Sequence, residues 1–448
     1  MHFILESNLL SDAGYLQNMR TISPLKKSII NYNIDSVVCN NHHTMEIKKV
    51  DWQVIILVCS IIIAMIMGVR QALGLFLEPI STFMNDGKEF FSFAIGVQAI
   101  VWGLVTFVLG ILIDKFGPQK VLAFGIICFA SGIFFMSNPT SEIKLFSATT
   151  LMGFGLGGAG MATIVSIAGK VAPVNKRSIA MGLVAAAGSF GQFAVVLPTM
   201  WMNKEFGWQT SLLVLASISI CLLFLLPLLN DPNNIDAKNQ SFKEDLKNTV
   251  KFSLKEKNYL LLILGFFVCG FHVTFIALHL PTDLVSKGIS VEVAGWSLAI
   301  IGVTNILGTI GFGWLGGKIK KPMPLSIIYL FRSLAITIFV LSPPSPTIAI
   351  LFGALIGIFW LATVPMTNAI ILSFIGPKYL ATLSGICFIC HQLGAVLGAW
   401  LGGRFFDIYG DYENMWWLSV GLGIIAFILT ITVKEEPFSV NSEIKQPS

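Results

Sequence analysis

Two arginines, Arg70 and Arg332, lie inside long apolar stretches of this 448-residue sequence. A central arginine in a membrane helix costs roughly 2.5 to 3.5 kcal/mol on insertion scales, so such a residue is by default paired or functional. Arg70 comes about sixteen residues, on the order of 24 Å, into its apolar stretch. The chemistry that this position permits is the binding of an anion. The alternative is that the long side chain reaches the outer membrane surface.

Three histidines, His272, His279 and His391, lie in other apolar stretches. Residues seven apart lie nearly above one another on a helix, so His272 and His279 share a face, with Asp283 one turn beyond. Imidazole titrates near neutral pH and could take up a proton on one side of a membrane and release it on the other. The alternative is that these histidines make hydrogen bonds between helices. No third ligand accompanies the pair, so we predict no metal site.

The composition is that of a membrane protein, because 55% of the residues are hydrophobic and 12% are charged. Soluble globular proteins have about a quarter charged residues. The net charge of +5 does not indicate nucleic-acid binding, since the basic residues lie in short loops beside apolar stretches. Six of the seven cysteines lie in apolar stretches, which argues against a disulfide framework.

The sequence contains no phosphate-binding loop, nucleophile elbow or metal-hydrolase pattern. Cys387 to His391 fits the Cys-x-x-Cys-His pattern of c-type haem attachment, but it lies midway along an apolar stretch, and we interpret it as chance. We therefore predict no enzyme activity and no cofactor. A membrane enzyme or a transporter-like sensor is the alternative from another class of protein, and no soluble domain large enough for signalling supports it.

Twelve apolar stretches are long enough to cross about 30 Å of hydrocarbon as helices. They predict an all-α membrane protein with six-helix bundles at 51–229 and 259–433. The remaining segments are polar: a cytoplasmic tail at 1–50, a linker at 230–258 with one or two short interfacial helices, and a C-terminal tail at 434–448. The spans are predicted at 53–77, 90–113, 120–137, 144–168, 179–201, 209–229, 259–280, 293–316, 324–341, 347–373, 380–402 and 414–433.

The distribution of Lys and Arg predicts the orientation in the membrane. Of the 29 basic residues, 22 lie on the side that holds both tails and the linker, and 5 lie on the other side. Because loops rich in Lys and Arg stay in the cytoplasm, we predict cytoplasmic termini in the inner or plasma membrane. Residues 1–44 lack a signal-peptide pattern. We interpret them either as an extension upstream of a start at Met45 or as a disordered tail.

A tight hydrophilic loop, Gly110 to Lys120, has a partial repeat later in the chain. Its sequence GILIDKFGPQK is echoed 203 residues on by GWLGGKIKK, which predicts two similar halves. The loop resembles the Gly-x-Leu-x-Asp-x-x-Gly-x-x-Lys signature between helices 2 and 3 of major facilitator superfamily transporters, which have two six-helix halves. The resemblance covers about residues 51–433. The conformational motif that it implies comprises Gly110, Asp114, Lys115, Gly117 and Lys120.

Further similarity points to one branch of that family. GVRQALGLFLEP at 68–79 resembles the first helix of the monocarboxylate transporter and oxalate/formate exchanger branch, where Arg70 matches a lysine involved in substrate and proton handling. NKRSIAMGLVAAAGSFG at 175–191 and GGRFFDIYGDY at 402–412 are similar to that branch as well. Asn305 departs from it, since animal monocarboxylate transporters have an Asp and Arg pair in helix 8. His391 stands where the exchangers have a lysine.

In the resembling family, helices 1, 4, 7 and 10 line the transport cavity and helices 2, 5, 8 and 11 flank it. The resemblance also implies that Asp114 caps the start of helix 11 near residues 379–382 and controls the conformation. Arg332 falls on helix 9, which is peripheral in the family, so we expect it to snorkel or to pair. The implied substrate-binding candidates are Arg70, His272, His279, Trp360, Thr363, Asn368, Asn305, His391, Gln98 and Gln192, with Trp102 beside them.

These observations predict a secondary active transporter of a small organic anion, with a monocarboxylate as the first candidate. Transport would proceed by proton symport or anion exchange through alternating access, by a monomer in the lipid bilayer. The alternative within the same class is a transporter of a neutral or cationic small solute, in which Arg70 has a structural role. Neither the exact substrate nor the coupling ion follows from the sequence.

Overall fold

The computed structural model describes residues 51–229, 250–251, 253–375 and 380–436. Within these ranges the chain is helical, with turns between the helices and no strand. The tail at 1–50, most of the predicted linker and most of the C-terminal tail lie outside the described residues. The interfacial helices expected in the linker therefore stay a prediction.

Twelve of the described helices are long and apolar enough to cross a membrane, which confirms the predicted number. The predicted spans agree with them to within a few residues at most ends, but α1 and α11 continue about two turns further than predicted. The helices are α1 Trp52–Met84, α2 Lys88–Phe116, α3 Pro118–Met136, α4 Glu142–Val171, α5 Arg177–Phe206, α6 Trp208–Leu229, α7 Lys257–Ser286, α8 Val291–Gly316, α9 Pro322–Leu341, α10 in two parts (Pro346–Ile358 and Thr363–Ile375), α11 Leu380–Tyr409 and α12 Glu413–Ile431.

Local sequence explains where the helices begin and end. Ser141, Ser290 and Ser345 each precede a helix, and each side-chain oxygen accepts a hydrogen bond from a backbone N–H in the first turn. Gly117 and Gly207 follow α2 and α5 with a φ of 82°, a left-handed conformation that favours glycine. The resulting turns are short, so consecutive helices run antiparallel.

Three helices are interrupted near their middle. α1 passes through a 3₁₀ turn at Leu73–Phe76, α4 bends at Gly160, and α10 unwinds between its two parts. In transporters, discontinuous helices surround binding sites because unwound backbone is tolerated where it is buried in protein or faces a cavity. α7 differs from these helices, since it is continuous through Pro281.

The helices form two bundles, α1–α6 and α7–α12. In the first bundle α1 packs on α5 and α3 on α4, while in the second α7 packs on α11 and α9 on α12. The bundles meet where α2 packs along α11 and α5 along α8. Glycine permits the closest contacts, since a Cβ on Gly394 of α11 would lie 1.9 Å from the Phe267 carbonyl oxygen of α7. Small residues let helix backbones approach in the same way in other membrane proteins.

Candidate functional site

A cavity lies between α1, α2 and α7, where the two bundles meet. It holds about 360 Å³ of empty space, its open mouth included. A mostly apolar wall with a few polar groups is typical of sites for small molecules. The lining residues are Arg70, Leu73, Gly74, Ile95, Gln98, Ala99, Trp102, Thr274, Ala277 and Leu278, with no carboxylate among them.

Arg70 is the charged residue of this wall. Among the described residues its side chain has no ion pair and no hydrogen bond, and its contact is with the Trp102 ring, whose centroid lies 5.0 Å from Arg70 Cζ. Trp102 is held in turn by Phe388 of α11, with ring centroids 5.2 Å apart. A cation–π contact orients the guanidinium without using its five N–H donors. Those donors therefore remain free for an anion in the cavity.

Gln98 and Thr274 add polar atoms from two other helices. Gln98 Nε2 on α2 and Thr274 Oγ1 on α7 are buried and have no hydrogen-bond partner in the described part of the chain. A buried donor without an acceptor costs free energy, which a ligand that accepts its hydrogen bond would recover. Sequence reasoning missed Thr274, because a single hydroxyl within an apolar stretch has no periodic signal. Its position on helix 7, two residues after His272, was the available indication.

The cavity is closed toward one side. We name the two sides after the residues at which α1 and α2 begin, the Trp52 side and the Lys88 side. Gly74, about one turn beyond Arg70 on α1, packs directly against α7, since a Cβ on it would lie 2.3 Å from the Ala277 carbonyl oxygen. A glycine is required for this approach, and the contact separates the cavity from the Lys88 side.

Polar contacts between the bundles reinforce the closure on the Lys88 side. The backbone N–H groups of Lys88 and Glu89, in the first turn of α2, donate to the Asp407 carboxylate of α11 over 2.9 and 2.7 Å. These N–H groups have no acceptor within their own helix, and a carboxylate also interacts favourably with the helix dipole there. Arg404 of α11 adds an ion pair with Glu89 over 3.1 Å.

α5 and α8 contact each other at the Lys88 side. There, Lys204 of α5 pairs with Glu292 of α8 over 2.6 Å. Toward the other end, Gly182 of α5 and Gly311 and Gly313 of α8 are exposed, and a Cβ on any of them would meet no atom within 4 Å. The contacts described here between the bundles therefore close the Lys88 side.

His272 and His279 are fully buried against α11 and α12. The Nε2 atom of His272 lies 2.8 Å from the Ser419 carbonyl oxygen, and Nε2 of His279 lies 2.8 Å from that of Ala399. A carbonyl only accepts, so Nε2 carries the proton in both rings, and Nδ1 of neutral His279 accepts from the Tyr412 hydroxyl at 3.2 Å. The two histidines do share a face of α7. Their contacts favour the alternative that they make hydrogen bonds between helices.

Four other predicted substrate-binding residues lie away from the cavity wall. Gln192 and Asn305 are at the contact between α5 and α8, where Asn305 Nδ2 donates to Ser189 Oγ over 2.8 Å. Trp360 lies in the unwound segment of α10 and Thr363 directly follows it, and both are fully buried. These residues lie near the contact between the bundles or within the second bundle, so any role in transport would be indirect in this state.

His391 lies where α11 packs on α7, with its ring centroid 4.7 Å from that of Phe266. Its Nδ1 atom is 2.9 Å from Gln392 Oε1, and Gln392 Nε2 donates across the bundle contact to the Ala99 carbonyl oxygen over 3.0 Å. Asn368, in the second part of α10, is half-buried. Of the predicted candidates, Arg70, Gln98 and Trp102 thus line the cavity.

The conformational motif spans the end of α2 and the start of α3. Gly117 has the left-handed conformation that turns the chain, and Lys120 is exposed in the first turn of α3. The side chains of Asp114 and Lys115, the surroundings of Gly110 and all of residues 376–379 lie outside the described part of the chain. The cap that Asp114 is expected to form on helix 11 therefore stays a prediction.

Arg332 differs from the prediction in where its side chain points. It was expected to snorkel or to pair, but its side chain is 0% exposed, so snorkelling is wrong. Its Nε donates to the Phe359 carbonyl oxygen over 2.9 Å, and its Nη2 donates to the carbonyl oxygens of Phe359 and Trp360. These carbonyls belong to the unwound segment of α10. The error arose because a helix that is peripheral in the fold can still direct a long side chain inward.

The chain has twelve apolar helices in two bundles, and the cavity between the bundles is closed on one side. These features define an integral multi-pass membrane protein with the architecture of a solute transporter. The sequence matches the Major Facilitator Superfamily over residues 56–398 and again over 262–447. The chain belongs to that superfamily, as the signature in its first half predicted.

Individual relatives are distant. The uncharacterized MFS-type transporter YcxA of Bacillus subtilis (strain 168) is 25% identical over 397 residues, which are 84% of this chain and 93% of that protein. Monocarboxylate transporter 13 of Bos taurus is 23% identical over 367 residues, 78% of this chain and 81% of that protein. The crystal structure of the nucleoside transporter NupG superposes with a TM-score of 0.70 at 14% identity, over 85% of this chain and 99% of that one. This last likeness shows the fold alone.

Proposed function

We propose that this protein is a secondary active transporter of a small organic anion, with a monocarboxylate as the first candidate. The observation that supports the proposal is Arg70, which lines the cavity and has no acceptor among the described residues. The Gln98 Nε2 and Thr274 Oγ1 atoms of the same wall have no partner among these residues either. A guanidinium presents a planar fork of donors that matches both oxygens of a carboxylate. A neutral or cationic solute would leave this charge without a partner.

The relatives support the same class of substrate. Monocarboxylate transporter 13 of Bos taurus aligns with 78% of this chain, and its name describes a transporter of monocarboxylates. Arg70, the cation of the cavity wall as far as the structure describes it, lies in the first helix, within the segment that resembles that branch. The proposal thus rests on an observation from the site and on a separate one from the sequence.

Alternating access is the mechanism that we propose. In this state the bundles are held together on the Lys88 side by Asp407, and the exposed glycines of α5 and α8 toward the Trp52 side favour an opening there. The excess of Lys and Arg assigns the Trp52 side to the cytoplasm, so this state faces inward in the inner or plasma membrane. A reporter fused after Val433 is expected to report cytoplasm, and a signal from the opposite side would contradict the orientation.

Proton symport and anion exchange are two forms of the proposal. His391 is the histidine that we assign to the proton in the symport form. Its ring binds Gln392, which in turn donates to Ala99 across the contact between α2 and α11. Protonation would therefore place a charge beside a glutamine that bonds across a contact between the bundles. His272 and His279 are assigned to hydrogen bonds between helices, as their carbonyl partners favour.

The test is uptake into proteoliposomes of radiolabelled monocarboxylates, each compared with its amide, for example lactate with lactamide. The two molecules differ little in size, so the comparison isolates the charge. We expect uptake of the carboxylate and none of the amide above protein-free liposomes. Stimulation by an inward proton gradient identifies symport, and stimulation by unlabelled anion inside identifies exchange. Equal uptake of acid and amide would favour the alternative, a transporter of neutral solutes.

A further inference from the structure

The unwound segment of α10, Phe359–Ala362, has backbone groups that a continuous helix would satisfy internally. In a helix each carbonyl accepts from the N–H four residues later, and an unsatisfied backbone group is costly within a membrane. The carbonyls of Phe359 and Trp360 and the N–H of Leu361 all have side-chain partners instead. Two residues from two other helices supply these partners.

Arg332 of α9 supplies the donors. It reaches both carbonyls, is fully buried, and has no carboxylate partner among the described residues. A buried arginine is expensive to keep, and here its donors go to backbone oxygens that the break in α10 exposes. Arg332 and the segment belong to the same bundle. This support is therefore expected to persist when the bundles move apart.

Asn305 of α8 supplies the acceptor, and its second contact is in the other bundle. Its Oδ1 accepts from the Leu361 N–H over 2.9 Å, while its Nδ2 donates to Ser189 Oγ of α5 over 2.8 Å. Helix α8 comes this close to the break because of Gly308, on which a Cβ would lie 1.8 Å from the Ile358 carbonyl oxygen. One planar amide thus connects the break to the contact between the bundles.

We propose that Asn305 is a positioning residue that couples separation of the bundles to the conformation of α10, with Arg332 as the fixed anchor of the break. When α5 leaves α8, the Asn305 amide loses Ser189 and keeps Thr309 of its own helix, whose Oγ1 lies 3.3 Å from Asn305 Oδ1, so its orientation is less constrained. The Leu361 N–H then loses a well-placed acceptor and turns toward a carbonyl of its own helix, which rewinds part of α10. This inference rests on the proposed function only in assuming that the bundles move apart.

Backbone amide exchange measured by mass spectrometry reports both ends of this coupling without any substrate. The N–H groups of Lys88 and Glu89 are in the first turn of α2, so their protection depends on Asp407 in the other bundle. The Leu361 N–H depends on Asn305. Exchange in the peptide that contains Lys88 and Glu89 therefore reports opening of the Lys88 side. Exchange in the peptide that contains Leu361 reports loss of its hydrogen bond to Asn305.

Two substitutions test the coupling from its two ends. Ser189→Ala removes the partner of Asn305 Nδ2 and leaves its bond to Leu361 possible, and Asp407→Ala removes a contact on the Lys88 side without touching α10. We expect each to raise exchange at Leu361 roughly 3- to 10-fold, the effect of losing about one hydrogen bond. The controls are Ser211→Ala and Asp411→Ala, since both side chains bind backbone groups close to them in sequence.

Wild-type exchange at Leu361 in both Ser189→Ala and Asp407→Ala would overturn the proposal, whatever happens at Lys88 and Glu89. A rise in either variant that the controls do not show would support it. Because no ligand is added, this outcome is independent of the uptake experiment. A protein that transports no carboxylate can still show the coupling, and a carboxylate transporter can still lack it.

Discussion

Arg70 and Arg332 are the two arginines within the apolar stretches of the sequence, and they differ in what their donors contact. Arg332 is 0% exposed and donates to two backbone carbonyls of α10. Arg70 lines a cavity, contacts an aromatic ring and has no acceptor among the described residues. The same side chain thus supports the fold in one place and is available to a ligand in the other. The partners, rather than the depth in the apolar stretch, distinguish the two roles.

The largest expected effect is a difference in stability between variants of the two arginines. Arg332→Met leaves the carbonyls of Phe359 and Trp360 buried without a donor, which is expected to lower the free energy of unfolding by about 2 to 6 kcal/mol. Arg70→Met leaves no acceptor unsatisfied among the described residues, so its stability is expected to match or exceed that of the wild type. Thermal unfolding in detergent measures both variants. Equal losses in the two variants would contradict the distinction.

A smaller effect is expected when the orientation of Arg70 is disturbed. Trp102→Leu removes the cation–π contact, worth about 0.5 to 2 kcal/mol, and is expected to weaken lactate binding by about 2- to 30-fold. Isothermal titration calorimetry on purified protein measures this affinity. Trp201→Leu is the control, because Trp201 lies near the end of α5 and contacts Phe206. Wild-type affinity in Trp102→Leu would show that the ring does not orient the cation for binding.

The smallest effect extends the comparison to the histidines. His279 is a partnered group like Arg332, so His279→Gln is expected to cost about 1 kcal/mol of stability and to leave the shape of the pH profile of uptake unchanged. If transport is proton symport, His391→Gln is expected to flatten that profile. Uptake measured across pH 5 to 8 in proteoliposomes compares the two variants. A flattened profile in His279→Gln alone would reverse the assignment.

The sequence predicted the helices well because a membrane permits few alternatives. A chain in hydrocarbon must satisfy its backbone within each span, so a long apolar stretch is a helix almost regardless of its detailed sequence. The family resemblance then placed helices 1 and 2 beside a cavity, and Arg70 and Gln98 both line one. These predictions depend on composition and on topology, which a single sequence carries.

The break in α10 and the role of Arg332 could not be predicted in this way. The segment at 359–362 contains neither glycine nor proline, although Pro365 fits the first turn of the helix that follows. The break depends on Arg332 and Asn305, which reach it from two other helices. Spacing likewise placed His272 and His279 on one face of helix 7 but could not tell which neighbour that face contacts. Such contacts are tertiary, and periodicity does not encode them.

The central claim is that Arg70 binds the carboxylate of the substrate. The most direct measurement is lactate binding to purified Arg70→Gln by calorimetry, with thermal unfolding as the check on folding. The control is Arg177→Gln, since Arg177 is exposed and donates to the Ala172 carbonyl oxygen five residues before it. Loss of a charge-assisted pair costs about 1.5 to 3 kcal/mol, so we predict binding weaker by about 10- to 150-fold in Arg70→Gln and unchanged in Arg177→Gln. A folded Arg70→Gln that binds lactate with wild-type affinity would contradict the claim.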